Sequence, residues 1–192
     1  MTGVGTTAAI NAAVLYLLAH ALYKGGLFLV AGIIDHETGT RKISALSGLA
    51  KKMPFTAVAA MAASVSMAGL IPTKGFLGKE MLYDALLNAP GPGVVYLAIL
   101  FAASALFVVV ALYIGYEILF GEVRPDKAHE AGKMMFIPPL ILGLAGFLLA
   151  VFPQWLSQPL LSGATDIVMG SATKLKLKLW HGFNLVFWLS MA

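Results

Sequence analysis

Ionisable side chains interrupt two long apolar stretches of this sequence. His20 and Lys24 lie within the first stretch, residues 11–34, and Lys79 lies within the second, residues 54–88. An ionisable group in the hydrocarbon of a membrane costs about 2.5–3.5 kcal/mol on insertion scales, and such groups usually mark a proton or ion path. Histidine titrates near neutrality, and burial disfavours the charged form of lysine. The chemistry that these residues could do is the stepwise transfer of protons.

Helical spacing groups these residues into two sets. His20 and Lys24 are four residues apart and share one helix face, which Tyr16 extends by one turn. Tyr83 follows Lys79 at the same spacing. The sequence therefore predicts a proton path through His20, Lys24 and Lys79. Four further side chains are candidates for the same path: Tyr16, Lys74, Glu80 and Tyr83.

Each set also has a simpler interpretation. Lys24 could extend towards the membrane surface, although its position near the middle of the stretch makes this difficult. His20 could only hydrogen-bond a neighbouring helix, and Lys79 with Glu80 could form a solvated pair at the membrane edge. Lys74 could line the path or simply reach water.

The composition defines the class of protein that must position these groups. Of the 192 residues, 59% are hydrophobic and 11% are charged, whereas a soluble domain carries about 25% charged residues. The chain is therefore predicted to be an integral membrane protein with the lipid bilayer as a partner. Its net charge of +4 comes without basic patches interleaved with aromatic residues, so nucleic acid is not an expected partner. Cysteine is absent, which excludes disulfides and thiolate metal sites.

The predicted fold is all-α, a polytopic transmembrane helix bundle with one broken helix. We expect one membrane unit over residues 1–192. A helix needs about 20 apolar residues to span a bilayer, and the run 54–88 is too long for one straight crossing. Pro72 and Gly75 predict a break near residues 71–75. The expected spans are residues 11–34, 54–88 with that break, 94–120, 134–152 and 177–192.

The charges of the loops predict the orientation. Loops 35–53 and 121–133 are rich in lysine and arginine, whereas loop 88–93 has neither. The positive-inside rule places the first two loops in the cytoplasm and the third outside. Segment 154–178 falls outside by the same count although it carries three lysines, so it is either an interfacial segment or a sign of a miscounted span.

No metal site or cofactor is predicted. Asp35, His36 and Glu37 are consecutive at the end of an apolar run, and consecutive side chains do not converge on one ion. We expect them, and His129 in a later charged loop, to be solvated. The sequence has no nucleotide-binding glycine loop, no nucleophile elbow and no zinc spacing.

Two motifs resemble a known family of membrane proteins. The first is Leu17-Leu18-Ala19-His20-Ala21-Leu22-Tyr23-Lys24, and the second is Pro72-x-x-Gly75-Phe76-x-x-Lys79-Glu80. In order, spacing and residue type they are similar to the antiporter-like subunits of complex I and of Mrp cation/proton antiporters. The segment 32–41 and the late Trp180-His181-Gly182-Phe183-Asn184 resemble the large A subunit of the Mrp antiporters. That resemblance implies that the chain covers the second half of the antiporter-like module and a little beyond.

The resemblance also implies a function. The chain would be the proton-translocating part of a multisubunit antiporter in the cell membrane, exchanging Na⁺ or another monovalent cation for H⁺. It would be a transporter component and not an enzyme, and its partners would be the other subunits of the complex. Lys24 would be the lysine in the middle of the path, His20 its connector and Lys79 the terminal lysine. The alternatives are a proton-pumping subunit of a respiratory NADH dehydrogenase and a purely structural membrane subunit.

Overall fold

The computed structural model describes residues 4–89, 91–170 and 182–191. The first helix, α1, runs from Thr7 to Thr38. It begins where the Thr6 hydroxyl accepts a hydrogen bond from the amide of Ala9, and it ends at Gly39, whose φ of 69° stops the helix. Its 32 residues correspond to about 48 Å. This helix is therefore longer than the hydrocarbon thickness of a bilayer.

The second apolar run forms two helices. Helix α2 spans Pro54–Ala68 and ends at Gly69, whose φ is 76°. Helix α3 spans Lys74–Leu87 and begins at Thr73, whose hydroxyl accepts a hydrogen bond from the amide of Phe76. The interruption thus covers residues 69–73, two residues earlier than the expected 71–75. Glycine ends the first half-helix, and threonine opens the second.

Four further helices complete the described part of the chain. Their bounds are Gly93–Leu112 for α4, Lys133–Val151 for α5, Gln158–Met169 for α6 and Leu185–Met191 for α7. Helix α4 continues as a π-helical turn over Tyr113–Glu117, and a second π-helical turn, Pro153–Ser157, precedes α6. The expected span 177–192 falls partly outside the described residues, as do His181 and the three lysines before it.

Small side chains allow the helices to pack closely. Helix α1 contacts α2, α3 and α5, and α2 lies against α5. A β-carbon on Gly143 of α5 would lie 3.1 Å from the β-carbon of Ala62, and one on Gly26 of α1 would lie 3.5 Å from that of Ala63. Such contacts drive helix association in membranes, where burial of apolar surface contributes little.

Within the described residues, three helices are long and apolar enough to cross a membrane, namely Thr7–Thr38, Gly93–Glu117 and Lys133–Val151. Only three residues of α4 are buried, and more than half of its residues are exposed. The remainder of its surface suits lipid or another membrane protein. The predicted all-α, multi-pass bundle with one broken helix is confirmed for the described residues, among which no strand occurs.

The two loops that the charge pattern assigns to the cytoplasm lie at the same end of the bundle. The backbones of Ser47 and Arg124 exchange two hydrogen bonds of 3.1 and 2.9 Å. The Lys51 ammonium donates to the carbonyl of Gly121 at 3.1 Å. Two loops on the same side of a membrane must lie at the same end of the helix bundle, and these two loops do.

The side chain of Glu37 is not solvated as expected. Only 6% of it is exposed, because each of its carboxylate oxygens lies 2.9 Å from Nδ1 of a histidine, His36 on one side and His129 on the other. A carboxylate between two imidazoles has partners for its own hydrogen bonds. Nearby, Asp35 lies 2.8 Å from Arg41, and this hydrogen bond raises the pKa of Arg41.

Glu130 caps helix α2 from a distant part of the chain. Its carboxylate accepts hydrogen bonds from the amides of Phe55 and Thr56 at 2.7 and 3.3 Å, and from the Thr56 hydroxyl at 2.5 Å. These donors belong to the first turn of the helix, which lacks intrahelical acceptors. The negative charge also complements the helix dipole.

We expect Glu130→Ala to destabilise the protein, because two helix amides and a buried hydroxyl lose their acceptor. Hydrogen bonds to charged groups contribute about 1.5–3 kcal/mol, and the thermal midpoint of the purified protein should fall accordingly. Glu122→Ala is the matched control, since its carboxylate pairs only with the exposed Arg124. Equal midpoints for the two variants would contradict the capping role.

Candidate functional site

A narrow cavity lies where α1 and α4 face the break between α2 and α3. It is polar at several points although it lies deep in an apolar bundle. Its lining side chains and glycines are Tyr16, Tyr23, Ser66, Met67, Ala68, Gly69, Gly75, Lys79, Leu82, Leu100, Ser104 and Phe107. The cavity therefore brings one lysine amine together with hydroxyl groups from three different helices.

A chain of hydrogen bonds along α1 leads to this cavity. Nδ1 of His20 lies 2.8 Å from the hydroxyl of Tyr23, which lies 3.3 Å from the hydroxyl of Tyr16. The three residues are spaced by three and four positions, so they share one face of α1. Tyr23 is fully buried, whereas His20 and Tyr16 are half-buried. A proton at the imidazole can thus reach the cavity through two phenolic hydroxyls.

Lys79 lies on the opposite wall of the cavity, and only 6% of it is exposed. Its aliphatic stem passes close to Gly69 at the end of α2, where a β-carbon would lie 3.0 Å from the lysine Cδ. The stem therefore lies along the break, and glycine leaves the room for it.

The far side of the cavity carries a second pair of hydroxyls. The Tyr83 hydroxyl donates to Oγ of Ser104 at 3.3 Å, and Ser104 belongs to α4. Tyr83 is fully buried. It reaches the cavity through Ser104 and does not line it, so its predicted link to Lys79 is indirect.

Lys24, which the sequence predicts to lie on one path with Lys79, is placed away from the cavity. Its ammonium lies 6.0 Å from the ring centroid of Phe28, which is 73% exposed, and it does not line the cavity. The reason is helical geometry, because Tyr23 occupies the inward position and the next residue is turned about 100° away from it. Within this chain, Lys24 lies at the flank of α1 and its ammonium has no hydrogen-bonding partner among the described residues.

Lys74 and Glu80 also lie away from the cavity. Lys74 is completely buried and its ammonium has no hydrogen-bond partner among the described residues, so this side chain neither lines the cavity nor extends to the surface. Glu80 is buried as well, but it borders a separate pocket with Asp84 and Asn184 next to α7. The break in the helix thus places neighbouring polar side chains in different surroundings.

Three residues that line the cavity were not predicted from the sequence, namely Tyr23, Ser66 and Ser104. Tyr23 lies three residues after His20 and seven after Tyr16, and this spacing is the signal that could have identified it. Ser66 and Ser104 are single serines in apolar helices, a pattern that also occurs in ordinary helix packing. Only the structure shows that both serines line the cavity.

The close contact of α2 with α3 can be tested at Gly75. A β-carbon at this position would lie 1.7 Å from the carbonyl oxygen of Ser66, a distance that forces the two half-helices apart. We expect Gly75→Ala to lower the yield of folded protein sharply, with a destabilisation at or above the usual value of about 1–3 kcal/mol for overpacking.

The control for this variant is Gly32→Ala, another helical glycine, which has nothing within 4 Å of the added carbon. Because alanine favours a helix more than glycine does, the control should fold at least as well as the parent protein. Size-exclusion profiles and melting midpoints compare the two. Normal folding of Gly75→Ala would contradict the described helix contact.

The fold and the site define a multi-pass membrane protein whose broken helix presents a buried lysine to a hydroxyl-lined cavity. Residues 1–107 match the transmembrane family described as NADH:quinone oxidoreductase/Mrp antiporter. The chain belongs to this family, which confirms the resemblance carried by the two motifs.

Curated relatives specify the branch of the family to which the chain is similar. It is 36% identical over 201 residues to the A subunit of the Na(+)/H(+) antiporter of Alkalihalophilus pseudofirmus, covering 95% of this chain and 25% of the relative. It is 34% identical over 194 residues to the corresponding A subunit of Bacillus subtilis, covering 92% and 24%. It is 36% identical over 197 residues to the A/B subunit of a probable K(+)/H(+) antiporter of Rhizobium meliloti, covering 96% and 19%.

A solved structure agrees with these relatives. The fold matches a chain of the Mrp complex from Dietzia sp. DQ12-45-1b with a TM-score of 0.76 and 34% identity, covering 98% of this chain and 21% of that one. The chain thus spans about a fifth to a quarter of the length of the proteins that it matches.

Proposed function

We propose that this chain forms the proton-translocating part of a multisubunit monovalent cation/proton antiporter. The observation that carries the proposal is the buried Lys79, which faces the hydroxyl chain of Tyr16 and Tyr23 across one cavity. The relatives named as A subunits of antiporters favour this function over a respiratory one. The partners would be the other subunits of the complex, and the transported ions H⁺ and Na⁺ or another monovalent cation.

In the proposed mechanism a proton moves between His20 and Lys79 through the tyrosine hydroxyls. Each hydroxyl accepts a proton on one side and releases its own on the other, so neither tyrosine has to carry a charge for long. Lys79 then alternates between its charged and neutral forms.

Lys24 takes the role of connecting this path to the rest of the complex. A lysine at the flank of α1 would be costly in free energy if lipid covered it. The proposal therefore requires that another part of the protein or complex covers Lys24. Such a part is available in the relative from Alkalihalophilus pseudofirmus, of which this chain covers only 25%. Lys74 and Glu80 lie off the cavity, and the proposal gives them no step in proton transfer.

We expect Lys79→Ala to abolish proton-coupled cation exchange while leaving assembly intact, because no other amine lines the cavity among the described residues. The measurement is ion exchange in vesicles that contain the complete antiporter complex with this chain. Lys52→Ala, at an exposed loop position, is the control and should keep full activity. Unchanged exchange in the Lys79 variant at normal protein levels would exclude its role in the path.

The tyrosine chain can be tested separately with Tyr23→Phe. This change removes the hydroxyl that joins His20 to Tyr16 and keeps the ring, so packing should be preserved. We expect the exchange rate to fall about a hundredfold or more, as for loss of one positioned proton-transfer group. Tyr96→Phe, a half-exposed tyrosine on α4, is the matched control. Equal rates in the two variants would remove Tyr23 from the path.

A further inference from the structure

The hydroxyl of Ser66 lacks a hydrogen-bond partner although it is deeply buried. Ser66 lies in the last turn of α2, only 2% of it is exposed, and its Oγ has no partner among the described residues. Leaving a buried polar atom unsatisfied costs about 1–3 kcal/mol, and nearly all such atoms in proteins have a protein or water partner. We therefore expect the Ser66 hydroxyl to form a hydrogen bond with a group outside the described residues, such as a bound molecule.

The surroundings of Ser66 leave space for a small polar molecule. The cavity beside it has a volume of about 10 Å³, close to the roughly 10–15 Å³ that one water molecule needs. Ser66 also lines the cavity that contains Lys79 and Tyr23. Its hydroxyl thus belongs to a residue that borders the same cavity as a lysine and two tyrosines, which together offer both donors and acceptors.

The groups that line the cavity favour a water molecule as the ligand. Buried waters make about three hydrogen bonds to polar groups that would otherwise be unsatisfied. Here a lysine, two serines and two tyrosines border one cavity, and the charged form of the lysine would repel a cation placed there.

We propose that Ser66 is a positioning residue, which holds a water molecule between the Lys79 amine and the hydroxyls of Tyr16 and Tyr23. This inference rests on the proposed function. When a proton moves, the water accepts it from one neighbour and donates another of its own protons to the next, so the water is regenerated. Ser66 itself neither gains nor loses a proton. Its hydroxyl fixes the water so that both transfers are aligned.

Helix α2 provides a matched control for this proposal. Ser64 is also buried and also lacks a hydrogen-bond partner among the described residues. It faces the π-helical turn after α4 instead of the cavity, because a β-carbon on Gly115 would lie 2.7 Å from its own β-carbon. Removing its hydroxyl changes the packing of the same helix without touching the cavity.

The experiment compares Ser66→Ala with Ser64→Ala in the complete antiporter complex. The first readout is the rate of proton-coupled exchange, which should fall about tenfold in Ser66→Ala, since one hydrogen bond of the transfer step is lost. Ser64→Ala should keep the parental rate. Ser66→Cys retains the shape of the side chain with a weaker donor, and its rate should be intermediate.

The second readout detects the water directly. Radiolysis of a bound water by X-rays labels adjacent side chains, so Tyr16 and Tyr23 should be labelled in the parent and in Ser64→Ala and should lose labelling in Ser66→Ala. Retained labelling in Ser66→Ala would overturn the proposal, and so would an unchanged exchange rate. Equal losses in Ser64→Ala would overturn it as well, because the effect would then be one of packing.

The two proposals fail in different ways. If Lys79→Ala still exchanges ions while Ser66→Ala loses the label on the tyrosines, then the water site stands and the transport role of the cavity is wrong. If Lys79→Ala abolishes exchange while Ser66→Ala keeps both label and rate, then the transport role stands and Ser66 does not position the water.

Discussion

The backbone contact between α2 and α3 is the constraint on which the site depends. The carbonyl of Ser66 occupies the space in which any other residue at position 75 would carry its β-carbon. This contact holds the two half-helices together after a break of only five residues, 69–73. It also sets the distance at which the stem of Lys79 passes Gly69. A looser junction would admit more solvent and would no longer hold one amine against one set of hydroxyls.

The polar side chains that line the cavity beside Lys79 are uncharged. Its described lining contains tyrosine and serine hydroxyls and no carboxylate. A buried lysine paired with a carboxylate would be held in its charged form by the partner's charge, and moving its proton would leave an unpaired buried charge behind. Hydroxyls stabilise either form of the amine by donating or accepting a hydrogen bond. Such surroundings favour a group that changes its charge repeatedly.

Much of the architecture follows from local signals in the sequence. Apolar runs of sufficient length predict the helices, and Pro72 with Gly75 predicts the break to within two residues. Lys79 stands out because a lysine in the middle of an apolar run is costly wherever it points. These inferences use only the sequence within one or two helical turns of each residue.

The arrangement of the site depends on contacts that no local pattern contains. The spacing of His20 and Lys24 gives a shared helix face, but it does not say which neighbour covers that face, and Tyr23 takes the inward position instead of Lys24. Ser104 joins the cavity only because α4 packs against α3. The surroundings of Glu37 were mispredicted for the same reason, since His129 lies in a distant loop of the sequence.

The cap that Glu130 places on α2 has a consequence for biosynthesis. The carboxylate and the amide of Phe55 are separated by 75 residues, and ribosomes add about 5–20 residues per second. The first turn of α2 is therefore synthesised about 4–15 s before its acceptor exists. During that interval, its amides depend on water or lipid headgroups at the membrane surface. This end of α2 can acquire its cap only after α3, α4 and the loop that follows them have been made.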